Sequence, residues 1–177
     1  MGNYILYQTD KGEQSKMTNL ERDILNLLQK DARYAPDKLS AMLNATTDEV
    51  ISTIKKLEAE GTIVKYTTVV NRSDDEGVEA LIEVKVTPQR AQGFDEIAGE
   101  ICLHPQVKSV FLMSGGYDLS VLIEGKSLKE VAMFVSERLS TIDSVISTAT
   151  HFILKKYKIE GATVKESEEA KRLPIQP

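Results

Sequence analysis

The sequence is poor in the residues that usually carry chemistry. It has one cysteine, Cys102, two histidines, His104 and His151, and no tryptophan. A lone cysteine excludes an intrachain disulfide and fits a reducing cytoplasm. It also reads as buried packing near a helix end. No Ser-His-Asp arrangement, Cys/His metal spacing or G-x-x-x-x-G-K phosphate loop is present, so neither catalysis nor a cofactor is expected. No apolar run reaches about 18 residues, which leaves nothing to span a membrane. The first residues lack a basic stretch followed by an apolar core, which argues against a secretory signal. Basic residues are also scarce: 22 Lys and Arg stand against 27 Asp and Glu, a net charge of −5. Any nucleic-acid binding must therefore come from local charge.

What remains is ordinary for a soluble globular chain, with 41% hydrophobic and 28% charged residues in 177. That length allows one large or two small domains. Residues 1–16 show no helical period and read as an N-terminal extension, a cloning remnant or a short pairing arm. Thr18-Asn19-Leu20-Glu21 matches a capping box, in which Thr and Glu reciprocally satisfy backbone N–H groups at a helix start. Leu20, Ile24, Leu27 and Leu28 follow at helical spacing, predicting a helix over Asn19–Gln29. Pro36 suits the first position of a short second helix, with Leu39, Met42 and Leu43 inward and Asn44 as terminator.

A second capping box, Thr46 to Glu49, opens a third helix running to about Glu60, with Val50, Ile54 and Leu57 as its buried stripe. Gly61 ends it. Thr62–Val70 is β-rich and reads as a strand or β-wing, so 17–70 spells a winged helix-turn-helix. On that reading the third helix offers Thr46, Thr47, Ser52, Thr53, Lys55 and Lys56 to DNA. Asp48, Glu49, Glu58 and Glu60 oppose them, and the helix has no arginine, the usual bidentate reader of guanine. Arg22, Arg33, Lys38, Lys65 and Arg72 are candidates for phosphate contacts from outside it.

Asn71–Gly77 is polar and turn-rich and reads as a linker. Val78–Val86 alternates as a strand closed by Pro88, and Phe94–Leu103 is amphipathic. A Gly115-Gly116 pair between Val107–Ser114 and Tyr117–Glu124 predicts a tight two-stranded hairpin. Ser127–Leu139 is a capped helix, and Val145–Leu154 is a last long strand. The order β-α-β-β-α-β over 78–156 is the ferredoxin-like split βαβ, an α+β architecture. Its uncovered sheet face calls for a second copy. Residues 157–177 close the chain as a charged, extended tail with room for a short strand.

Taken together, these motifs resemble the Lrp/AsnC family of feast/famine transcription regulators. The likeness runs through L-E-R-D-I-L-N-L-L-Q-K-D-A-R (Leu20–Arg33), I-K-K-L-E-A-E-G-T-I-V-K-Y (Ile54–Tyr66), S-G-G-Y-D (Ser114–Asp118) and S-T-A-T (Ser147–Thr150). The resemblance implies a winged helix-turn-helix followed by a RAM-type effector and dimerising domain. It further implies a cytoplasmic regulator that binds double-stranded DNA as a homodimer, tetramer or octamer and answers to an amino acid or related small molecule. The family's effector position between subunits falls here on Met113, Ser114, Gly115, Gly116, Tyr117, Asp118 and Leu119, with Thr148 and Thr150. Read without the resemblance, the same loop is a tight turn whose Asp118 bonds its own backbone, and both threonines are good strand residues. The competing function is a small-molecule-binding oligomeric module with weak or lost DNA binding that acts through protein contacts.

Overall fold

The structure is a computed structural model that describes residues 17–71, 77–87 and 93–164. It forms two compact units that divide after Thr68. The first holds α1 (Asn19–Lys30), α2 (Pro36–Leu43) and α3 (Thr47–Ala59). Both capping boxes form: Thr18 with Glu21 starts α1, and Thr46 with Glu49 starts α3. Asn44 ends α2 in the left-handed conformation, φ 51°, and turns the chain directly into α3. Ile24, Leu39, Val50 and Leu57 close the small core from all three helices. Met42, expected inward, lies outside it and is half-exposed.

Thr62–Val70 does not form the expected strand. Its residue types suit a ladder, but a strand needs a partner's N–H and C=O groups, and the described part of this unit offers no second strand. Val64 and Val70 stand exposed. Among the described residues, the start of the segment is tied back by the Ile63 N–H donating to the Leu57 carbonyl at 3.0 Å and the Tyr66 hydroxyl donating to Glu58 at 2.9 Å. Among the described residues, the head is thus a helix-turn-helix whose wing segment is unpaired. Residues 1–16, most of the linker including Arg72, and Pro88 lie outside the described residues.

The second unit contains β1 (Val78–Val86), α4 (Phe94–Cys102), β2 (Val107–Leu112), β3 (Leu119–Gly125), α5 (Leu128–Phe134) and β4 (Val145–Phe152). The four strands form an antiparallel sheet in the order β2-β3-β1-β4. Ala80, Ile82, Val84 and Val86 alternate into the core along β1, facing Ile97 and Ile101 of α4 and Val131 and Phe134 of α5. Cys102 follows Ile101 by about 100° around the helix and is exposed rather than buried. The expected single helix to Leu139 changes pitch after Phe134 into a π turn, Val135–Leu139, closed by the Ser140 N–H on the Val135 carbonyl at 2.8 Å.

Ile146 is an extra residue in β4, because Lys85 pairs with Ser147 while Val86 pairs with Val145. The tail carries a hairpin of its own, β5 (Lys158–Ile159) with β6 (Ala162–Thr163), turned through Glu160 and Gly161. No helix among the described residues is long and apolar enough to cross a membrane.

Candidate nucleic-acid interface and effector site

The candidate DNA-facing residues of α3 and its cap are engaged in different ways. Thr46 is occupied as a cap: its hydroxyl and N–H both reach the Glu49 carboxylate at 2.8 Å. The Thr46 N–H bond is the main cause holding the Glu49 carboxyl below its ordinary range. That acid therefore serves the helix start instead of facing outward alone. The Thr47 hydroxyl points back to Asp37 and Ser40 of α2, 3.3 Å from each, and helps fix the turn. Ser52 and Thr53 bond the Glu49 carbonyl at 3.0 and 2.7 Å.

The two lysines differ. Lys56 Nζ sits 2.7 Å from Glu21 Oε1 and 3.8 Å from Glu60. Glu21 is buried at 6% exposure and also accepts the Thr18 N–H at 2.7 Å. The Lys56 hydrogen bond, then the Thr18 N–H, hold the Glu21 carboxyl below its usual range. Lys55 is exposed and has no ion pair among the described residues. Beyond α3, Arg33 is bidentate to Asp31, whose carboxyl it lowers to about 2. Lys38 lies over the Tyr34 ring, 4.6 Å from its centroid.

In the second unit the Gly-Gly segment is wider than a two-residue turn. The ladder stops at Leu112–Leu119, and the Met113 N–H closes the loop on the Asp118 carbonyl at 2.8 Å. The cause lies across the sheet. The Asp118 N–H donates to the Val84 carbonyl at 3.0 Å, and its Oδ2 accepts the Val86 N–H at 2.9 Å. The Asp118 carboxylate therefore clasps the end of β1, while its carbonyl closes the loop. Ser114, Gly115 and Gly116 are left exposed, with Met113, while Tyr117 is partly buried. Leu119 is fully buried in the core.

Thr148 pairs with Val84, and Thr150 with Ile82. Directly paired residues share a face, so both threonines lie on the helix-packed side, partly buried at the sheet edge. Val84 is thus paired with Leu119 on one flank and Thr148 on the other, about 10 Å apart across two strand spacings, and its carbonyl accepts the N–H of the neighbouring Asp118. The uncovered face of the sheet has Leu81 paired with Leu122 near its middle. Around them stand the ion pairs Glu79–Lys156 and Lys108–Glu124 at 3.0 Å, with His151 Nε2 3.4 Å from Glu83.

A family model described as the AsnC-type helix-turn-helix domain matches residues 17–58, and one described as the Lrp/AsnC ligand binding domain matches 79–163. YugG of Bacillus subtilis, named an uncharacterized HTH-type transcriptional regulator, is 47% identical over 165 residues, covering 92% of this chain and 99% of YugG. The chain belongs to the Lrp/AsnC family of transcription regulators. The crystal structure of PH0061 superposes with a TM-score of 0.71 at 25% identity, over 81% of this chain and 97% of that one. The Neisseria meningitidis regulator NMB0573, solved as an L-Met complex, superposes at 0.65 with 21% identity, over 86% and 98%. An Lrp/AsnC chain is thus a helix-turn-helix regulator with a ligand-binding domain, and the second match extends through the β5–β6 hairpin that sequence reading left in the tail.

The sequence signal missed the partners of Lys56 and Asp118, which come from distant segments. Once α1 and α3 are antiparallel neighbours, a Glu in the first turn of one and a Lys in the last turn of the other is the pattern that finds such a tie.

Proposed function

We propose that this regulator binds double-stranded DNA through α3 and responds to an amino acid or related small molecule held at the loop end of the sheet. The observation that carries the effector reading is the meeting of Asp118 and Thr148 at the end of β1, Asp118 by hydrogen bonds to Val84 and Val86 and Thr148 by pairing with Val84. One Asp118 oxygen is taken by the Val86 N–H, and the other has no partner among the described residues. It can meet an ammonium group. Ser114, Gly115 and Gly116 are exposed in the loop, where backbone N–H groups can hold a carboxylate. Leu119 supports the site only through its backbone, and Thr148 and Thr150 border it from the helix-packed side. The L-Met bound to the Neisseria relative supports an occupant of this chemistry.

A second copy covers the free sheet face, whose apolar centre and charged rim have the composition of a protein interface. Dimers, assembled further into tetramers or octamers, multiply the weak contact that each α3 makes. With Lys56 occupied, α3 presents Lys55 as its free cation, and Ser52 and Thr53 as polar neighbours. That same scarcity favours the second reading, a ligand-binding assembly module acting through protein contacts.

Binding of the full-length protein to its own upstream DNA, titrated in salt beside a scrambled duplex, separates the two. Selective binding with a steep salt slope supports the regulator that reads DNA through α3. Equal, weak binding to both duplexes, with the protein folded and assembled, supports the module.

A further inference from the structure

Opposite the buried Val50 and Leu57, α3 turns a narrow stripe outward: Asp48, Ser52, Lys55 and Ala59, all exposed. They recur at i, i+4, i+7 and i+11, so at 3.6 residues per turn they fall within about 60° of one another. In a helix-turn-helix the N-terminal residues of the recognition helix meet base edges. Asp48 is the second residue of α3 and heads this stripe.

Its neighbours are engaged elsewhere. Thr46 and Glu49 cap the helix, Thr47 bonds back to Asp37 and Ser40, and Lys56 is held by Glu21. The Asp48 carboxylate has no hydrogen bond or ion pair among the described residues. An acid in the first turn suits the helix dipole wherever it points, so the dipole does not explain why this one stands outward. Facing a duplex, that charge opposes the phosphates at every site. The loss is offset only where the DNA presents a hydrogen-bond donor to it.

We propose that Asp48 is a base-reading residue of this regulator and selects cytosine, a role that rests on the reading that α3 enters the major groove. An ionised carboxylate only accepts hydrogen bonds. Guanine presents N7 and O6 in that groove, thymine presents O4, and adenine sets N7 beside its amino group. Cytosine alone offers a donor, its N4 amino group, with no acceptor of its own. Asp48 thus gains a hydrogen bond at cytosine and meets an acceptor on every other base. Ser52, one turn on, spends its proton on the Glu49 carbonyl at 3.0 Å and also faces outward as an acceptor. Lys55, a turn further, adds the cation that holds the stripe to the duplex. The sparse positive charge of α3 then serves selectivity: a weak pull on any DNA, with a penalty at the wrong base.

The test lets the full-length protein select duplexes from a randomised pool. Competition binding then ranks the four base pairs at each position of the enriched site. A cytosine preference of about tenfold is expected at one position per half-site. Asp48→Asn should move that position alone toward adenine, which an amide reads at N6 and N7, and should tighten binding to scrambled DNA. Lys55→Ala should weaken binding to all sequences alike. If Asp48→Asn leaves every base preference in place while Lys55→Ala still weakens binding, α3 stays on the DNA and the cytosine assignment is overturned. A preference lost evenly over all positions, with a lowered urea midpoint, would make Asp48 a support of the helix and overturn it too. No enrichment, or an enriched site indifferent to both substitutions, would take α3 out of the groove and end both readings.

Discussion

Lys56 Nζ lies 2.7 Å from Glu21 Oε1 and so ties α3 to the first turn of α1. The lysine that seemed to double the charge of the recognition helix instead fixes where that helix sits. Lys55 and Lys56 should therefore fail differently. Lys55→Ala is expected to lower the slope of log K against log salt by about 0.9 for each phosphate that the lysine neutralises. Lys56→Met keeps the aliphatic stem and should weaken the head and its DNA affinity while leaving that slope unchanged. Equal slope reductions in the two variants would put Lys56 on the DNA.

The same pair predicts a pH dependence. Glu21 is held below its ordinary 4.5, chiefly by Lys56, and Asp31 is lowered to about 2 by Arg33. A carboxyl whose folded value is depressed stabilises fully above its unfolded value, and that contribution is lost as pH falls through the folded one. The head should thus weaken on acidification below about 4.5. Glu21→Gln retains the capping geometry but loses the charge facing Lys56. Its urea midpoint should fall below the parent's near neutral pH, and the gap should close in acid. A gap of constant size would mean that charge does not stabilise the contact.

These examples show which parts of the molecule were legible in the chain. Capping boxes are complete within four residues, so Thr18–Glu21 and Thr46–Glu49 could be read directly and proved real. Alternation along Val78–Val86 is equally local, and with the helix periods it was enough to order the β-α-β-β-α-β unit. Long-range partners leave no such trace. Glu21 and Lys56 are 35 residues apart, and Asp118 and Val86 are 32 apart. Thr62–Val70 differed for the converse reason, since its composition favours a strand that finds no partner among the described residues. The π turn was also hidden, because Ser127–Leu139 has an ordinary helical composition with no signal at Val135–Leu139.

Gly77 tests how tightly the incoming chain is held. Its φ is +138°, and a Cβ there would stand 3.0 Å from the Gly125 carbonyl oxygen, a backbone atom that cannot rotate away. Gly77→Ala should therefore destabilise the second unit by about 1–3 kcal/mol, read as a lowered urea midpoint. An unchanged midpoint would mean that β1 starts after a loose connection.

Asp118 has two duties that substitution can separate. Its Oδ2 holds the Val86 N–H, while the remaining oxygen, without a partner among the described residues, is the one the proposal assigns to the ligand. Asp118→Ala removes both and should cost about 1 kcal/mol of stability for the missing hydrogen bond, together with any effector response. Asp118→Asn can still accept from the Val86 N–H through its amide oxygen but brings no negative charge to an ammonium. Calorimetric titration with L-Met and other amino acids would distinguish the two variants. The asparagine form is expected to keep parent-like stability and to lose about tenfold or more in affinity for whichever amino acid the parent binds. Full affinity in that form would leave Asp118 as a clasp between β3 and β1 and move the ammonium partner elsewhere in the loop.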